Sequence, residues 1–170
     1  MKEVNQKKDK LIWVDTPGSP LILINELVAK DWEGIDGDEY DSVVDASMSD
    51  YCSKVPFMDT TLVVMGDEPM MAAHKEIGKN SCIVRLHHAP DIEDVDKFLS
   101  ELKIDHYSPV EEIDVHLEKG NYILFDSADD FSPELDKVSF RLENDVQKIC
   151  TYVLANEDNT IRVILHSFVQ

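Results

Sequence analysis

Basic residues are scarce in this chain: 16 Lys and Arg stand against 35 Asp and Glu, a formal net charge of −19 over 170 residues. A field of that sign repels nucleic-acid phosphates and anionic membrane surfaces, so neither is expected as a partner, whereas a basic protein would be drawn in. Cysteine is also sparse. Cys52, Cys82 and Cys150 are odd in number and form no CxxC pair, which argues against a disulfide framework and a zinc site and leaves reduced thiols. Long apolar runs are missing too. Lys2, Lys7, Lys8 and Lys10 precede Leu11 to Val14, but that stretch meets Asp15 after four residues, far short of a secretory core or a membrane span. A cytoplasmic location is the expectation.

Core-forming residues are present in ordinary measure, 43% hydrophobic against 30% charged, so the acid has not displaced the interior. A chain of 170 residues fits one domain. Residues 1–10 are expected to form a polar tail, and residues 11–170 a single domain without internal repeats.

Along the chain, LIWVD and PLILI flank a Pro-Gly turn signal and predict a β-hairpin. Asn25 to Lys30 fits a short helical turn, Asp31 to Asp41 a surface loop, and Val43, Val44, Ala46 and Met48 a weak helical pattern. Strands are expected at Lys54 to Met58, Thr61 to Met65 and Ser81 to His87. The best helical periodicity lies at 91–103, where Ile92, Val95, Phe98, Leu99 and Leu102 share one face after Pro90 and the N-cap candidate Asp91. This helix should lie on a sheet. Further strands follow at Ile113 to Leu117, Tyr122 to Phe125, Val138 to Leu142, Ile149 to Leu154 and Ile161 to Phe168, the last two joined by a turn over Asn156 to Thr160. The order predicts an α+β fold: a mainly antiparallel twisted sheet with one clear helix and one or two short ones.

Catalytic signatures do not accumulate. GxSxG, P-loop and GxGxxG patterns are absent, and no two of His74, His87, His88, His106, His116 and His166 have the i, i+4 spacing of a helical metal pair. IDGDEYD places Tyr40 and Asp41 where a calcium loop needs an oxygen ligand and glycine. Cys82 and Cys150 sit in apolar runs and read as core. Neither cofactor nor metal is expected. The alternative is a small hydrolase or metal-dependent enzyme using clustered carboxylates.

The acid itself is unevenly spread. Between Lys30 and Lys54 lie 23 residues with eight carboxylates and no base, and Asp126 to Asp136 holds five more. Two alternatives stand: loops facing the same way would make one negative surface able to cover a basic, phosphate-binding cleft, and loops facing apart would be merely solvated. The candidate partner-binding set is Asp31, Trp32, Glu33, Asp36, Asp38, Glu39, Tyr40 and Asp41, with the two aromatics as anchors; Trp32 equally suits one end of the core.

Read together, WVDTPGSPLILI, DGDEYD, LVVMGDEP, IVRL, YILFDSA and VILHSF resemble the bacterial Immunity protein 21 family over Trp13 to Phe168. Departures are Leu86 after Arg85, where the family commonly has an aromatic, and Ser19 where glycine is frequent. The resemblance implies a non-enzymatic partner of a polymorphic toxin, encoded beside it and neutralising it by binding. It also marks Trp13, Gly18, Pro20, Gly66, Asp67, Glu68, Pro69, Arg85 and Asp126 as motif residues, largely structural in character. The expected partner is a cognate toxin domain, basic where it meets the acid, with a nuclease as the attractive case; oligomeric state is not legible.

Overall fold

Leu21 to Ile24 carry no polar side chain because both faces of their strand are covered. Leu21 and Leu23 belong to the core between two sheets, and Ile22 and Ile24 to a second core beneath a helical layer. The structure is a computed structural model describing residues 10–48, 51–66, 68–69 and 71–170. All but Lys10 of the expected N-terminal tail lies outside the described residues.

The elements run β1 (Trp13–Val14), β2 (Leu21–Asn25), α1 (Glu26–Ala29), α2 (Tyr40–Ser47), β3 (Cys52–Phe57), β4 (Thr60–Met65), β5 (Met71–Ile77), β6 (Asn80–His88), α3 (Ile92–Ser100), β7 (Glu111–Leu117), β8 (Gly120–Asp126), β9 (Val138–Leu142), β10 (Val146–Ala155) and β11 (Arg162–Val169). One sheet has the order β1-β5-β6-β11-β10-β7 and the other β3-β4-β2-β8-β9. Every pairing is antiparallel. The α+β expectation holds, with two sheets in place of one. The emphasis on one clear helix needs correcting, since α2 with eight residues is nearly as long as α3 with nine.

The layers follow from side-chain alternation. Ile83, Val115, Ile149 and Phe168 from the six-stranded sheet meet Leu23, Val63, Leu124 and Phe140 from the five-stranded sheet. On the outer face of the six-stranded sheet, Val84, Val163 and Leu165 pack with Val95 and Leu99 of α3. Phe98 and Leu102 are partly buried there, whereas Ile92 at the helix start is 40% exposed. Asp91 caps α3 by accepting from the Glu93 amide at 3.0 Å, and Glu93 and Asp94 face the positive end of its dipole. The helix ends at Ser100, short of the predicted 103, as the Leu102 amide tightens onto the Leu99 carbonyl. No helix among the described residues is long and apolar enough to cross a membrane.

The predicted N-terminal hairpin does not form. Trp13 and Val14 pair with Ala73 and Ala72, while β2 pairs with β4 and β8, so TPGSP carries the chain from one sheet to the other. The Pro-Gly signal marks a change of direction correctly, but a local pattern cannot distinguish a hairpin from a crossing between layers. Gly66 to Pro69 forms another such crossing, from β4 to β5. β5 itself gave no strand signal, being rich in Ala, His, Lys and Glu, and its neighbours β1 and β6 impose its conformation.

Candidate functional site

The two acidic stretches meet. Asn25 caps α1 through the Leu27 amide at 2.9 Å, and the chain leaves that helix into Asp31 and Trp32. Trp32 is 2% exposed: its ring meets Phe57 edge-on at 5.4 Å, and Nε1 donates to the Ser127 carbonyl at 3.0 Å. Trp32 therefore belongs to the core of the five-stranded sheet's outer face and leaves the candidate contact set. Indole burial with a satisfied N–H is the ordinary use of tryptophan at a core boundary.

Beyond it, a 3-10 turn at Gly34–Asp36 brings the Ile35 amide within 3.1 Å of the Ala128 carbonyl. Gly34 is required there: φ is +65° and a Cβ would lie 2.5 Å from the Ala128 carbonyl oxygen. The Phe131 amide reaches the Trp32 carbonyl at 3.5 Å, and the Ser127 amide donates to the Pro20 carbonyl at 3.0 Å. Tyr40, half-buried, places its hydroxyl 2.9 Å from Ser19 Oγ. Residues 31–41, residues 126–136 and the TPGSP crossing are thus one assembly over the outer face of β2 and β8.

On its surface, Asp31, Glu33, Asp36, Asp38, Glu39 and Asp41 are exposed, as are Asp129, Asp130, Glu134 and Asp136. Burial first, then the charges of Asp126 and Asp130, push the Asp129 carboxyl above its ordinary value. Among these acids stands Ile35, 63% exposed. Asp126 differs from its neighbours in being buried: Oδ1 accepts from the Ala128 amide at 2.9 Å, and Oδ2 lies 2.9 Å from the Thr16 hydroxyl. It organises the loop from beneath.

A second polar group is sealed between the sheets. Arg85, 1% exposed, donates to the carbonyls of Gly66 and Pro69, the latter at 2.6 Å, and reaches the Tyr51 carbonyl at 3.5 Å. The Glu111 carboxylate accepts from the Tyr51 and Cys52 amides at 3.1 Å each. Thr151 Oγ1 sits 2.8 Å from His166 Nδ1 and 3.9 Å from Cys52 Sγ. The ingredients resemble a cysteine–histidine centre, but burial, assisted by the Glu111 charge, pushes the Cys52 thiol up to about 12. A thiol in that state is not a nucleophile near neutral pH. Burial, then Arg85, hold the His166 imidazole well below its ordinary value. The arrangement ties loop carbonyls to the core.

The motif residues fall where the layers are joined. Trp13 is half-buried in β1 beneath α3, and exposed Gly18, at φ +152°, and buried Pro20 shape the first crossing. Gly66 and Pro69 are buried in the second and supply the carbonyls that Arg85 holds, while Glu68 is exposed. Asp67 lies outside the described residues. Sequence reasoning missed Thr16, Ser127 and Glu111, whose roles arise from distant partners, and Ile35, whose only signal was an isolated apolar side chain within an acidic run. Among the described residues, no group of three or more His, Cys, Asp or Glu is placed to hold a metal ion.

Two sheets are thus flanked by helical layers, with an exposed acidic face over the outer side of one and a polar centre sealed between them. The model of the Immunity protein 21 family matches residues 12–155, and the chain belongs to that family. No curated protein and no solved structure matches it.

Proposed function

We propose that this chain binds and neutralises a cognate toxin domain in the cytoplasm, covering a basic site on the toxin with the acidic face built from residues 31–41 and 126–136. The observation that carries this reading is the junction of the two acidic stretches at Ile35 and Ala128, which turns two runs separated in sequence into one surface. Membership of an immunity-protein family supplies the partner class. Like charges crowded at Asp126, Asp129 and Asp130 are costly in isolation and are relieved by an opposing cation.

The contact set is Asp31, Glu33, Asp36, Asp38, Glu39 and Asp41, with the accessible part of Tyr40 at its margin. Asp129, Asp130, Glu134 and Asp136 are added from the second stretch. Ile35 is the apolar anchor among them, in the arrangement of a desolvated centre within a polar rim. A nuclease is the favoured toxin activity, because a phosphate-binding cleft is basic by necessity. The chain acts by occlusion and not as an enzyme, and the sealed position of Cys52 and His166 supports that view.

Mixing the chain with the toxin domain encoded beside it tests the proposal. Binding is expected, together with a loss of about 100-fold or more in affinity when Asp36, Asp38, Glu39 and Asp41 are reversed to Lys. Binding indifferent to those reversals would remove the acidic face from the interface.

A further inference from the structure

The core between the sheets changes character at one end. Along β2, β4 and β8 the side chains facing it are Leu21 and Leu23, Val63 and Met65, and Leu124. Further toward this end, the same faces carry Asn25, Thr61 and Tyr122. With Leu117 of β7 they line a recess of about 140 Å³, walled by Asp59 and Thr60 of the β3–β4 turn and by Glu118 beside His116. A cavity of roughly 150 Å³ admits a benzene ring, so this recess is sized for the end of one side chain and not for a peptide or a nucleotide.

Its fixed charges have one sign. Asp59 and Glu118 are exposed, and no Lys or Arg is among the lining residues. Lys119, the other residue of the β7–β8 turn, lies outside the lining, and its amide donates to Asp145 Oδ1 at 2.8 Å. Burial first pushes the Tyr122 hydroxyl above its ordinary value; Glu118 and Asp145 push the same way, and Asn25 opposes them. That hydroxyl donates to the Glu118 carbonyl at 2.8 Å, so its proton is already in use.

The rim is apolar. Met58, next to Asp59, is 62% exposed, and Leu27, shortly after Asn25, is 82% exposed. Met58 opens the tight turn between the paired Phe57 and Thr60 with φ +52°, a left-handed conformation that Asn or Gly adopts readily and a long side chain resists. Asparagine would suit this turn better. A strained methionine kept on the surface points to use of its side chain.

We propose that the recess receives an arginine side chain of the toxin domain, its guanidinium entering between Asp59 and Glu118 while its aliphatic stem lies across Met58; this inference rests on the toxin-binding reading above. Arginine fits better than lysine. Its planar fork of N–H donors serves carboxylates on two separate turns, and its stem packs on an adaptable thioether. The second acidic stretch leaves β8 beside Leu21, at the far end of the five-residue β2, roughly 15 Å from the recess. A standard interface of about 800 Å² per partner is roughly 30 Å across, so one toxin domain can reach both.

Affinity for the toxin domain encoded beside this chain, measured by calorimetry alongside urea unfolding, tests the recess. The double variant Asp59→Asn, Glu118→Gln keeps the shape, removes the charge and should bind about 30-fold more weakly. Met58→Asn should resist urea at least as well as the unaltered chain, yet bind about fivefold more weakly. If both variants fold and bind undiminished while reversal of Asp36, Asp38, Glu39 and Asp41 still weakens the complex, the recess is overturned and the acidic-face reading stands. No complex with the unaltered chain would overturn both. An arginine-selective dicarbonyl reagent should spare one toxin arginine in the unaltered complex and modify it in the complex of the double variant. Identical modification in the two complexes would overturn the arginine.

Discussion

Arg85 and His166 project into the space between the sheets from adjacent strands β6 and β11, a permanent cation beside an imidazole that burial keeps neutral. Because the native state resists protonation and the unfolded chain does not, the unfolded state binds the extra proton as pH falls below the ordinary imidazole value of 6.5. Stability contributed by the neutral form is complete above that value and declines by about 1.4 kcal/mol per pH unit below it, until the native pKa is reached. Urea unfolding at pH 7.5, 6.5 and 5.5 should show this fall. His166→Gln should flatten it substantially. His74, held below its ordinary value mainly by burial, contributes in the same direction.

Arg85 satisfies carbonyls on the crossing that links the two sheets. Arg85→Met leaves those carbonyls without their donor and should cost roughly 3 kcal/mol or more in chemical unfolding. Arg85→Lys keeps the charge but has no planar fork and should restore only part of the loss.

Gly34→Ala forces a side chain into a positive-φ turn and against the Ala128 carbonyl. A stability loss of roughly 2 kcal/mol is expected from the strain. Toxin affinity should fall as well, since the clash pries the two acidic stretches apart. Titration calorimetry at a temperature where the variant remains folded separates the two effects.

Cys52 and Cys82, both pushed up to about 12 mainly by burial, should be inert to a thiol-specific disulfide reagent at pH 8 in the native protein and react only on unfolding. Rapid labelling of Cys52 in folded protein would contradict the sealed inter-sheet centre, and rapid labelling of Cys82 would contradict the packing beneath α3.

Toxin binding through the acidic face should weaken with salt. Raising ionic strength from about 0.05 M to about 0.5 M should lower affinity by about tenfold or more, chiefly by slowing association. Stopped-flow mixing would measure it. An association rate independent of salt would point to a different face.

Much of the fold was legible because each element was locally consistent. Val138, Phe140 and Leu142 alternate with polar neighbours and form a strand with one buried face, as their pattern requires. Asp91, with acids in the following turn, started α3 at the expected place. The errors share one cause: they concern which distant segment an element meets. TPGSP read as a hairpin because its turn chemistry is the same in a crossing, and β5 went unseen because its strand conformation is imposed by partners. Trp32 was open to two readings in a loop of acids; burial under the loop and the Ser127 carbonyl assign it to the core.

The sequence by itself determined the sign and scale of the charge, the α+β class, the capped helix, most strands and the motif order that places the chain among immunity proteins. Each of these depends on composition or on neighbours within a few positions. Tertiary structure alone decided that residues 31–41 and 126–136 form one surface and that Arg85 serves the Gly66 to Pro69 crossing. Those relationships depend on how two twisted sheets stack and where the chain passes between them, which no local pattern encodes.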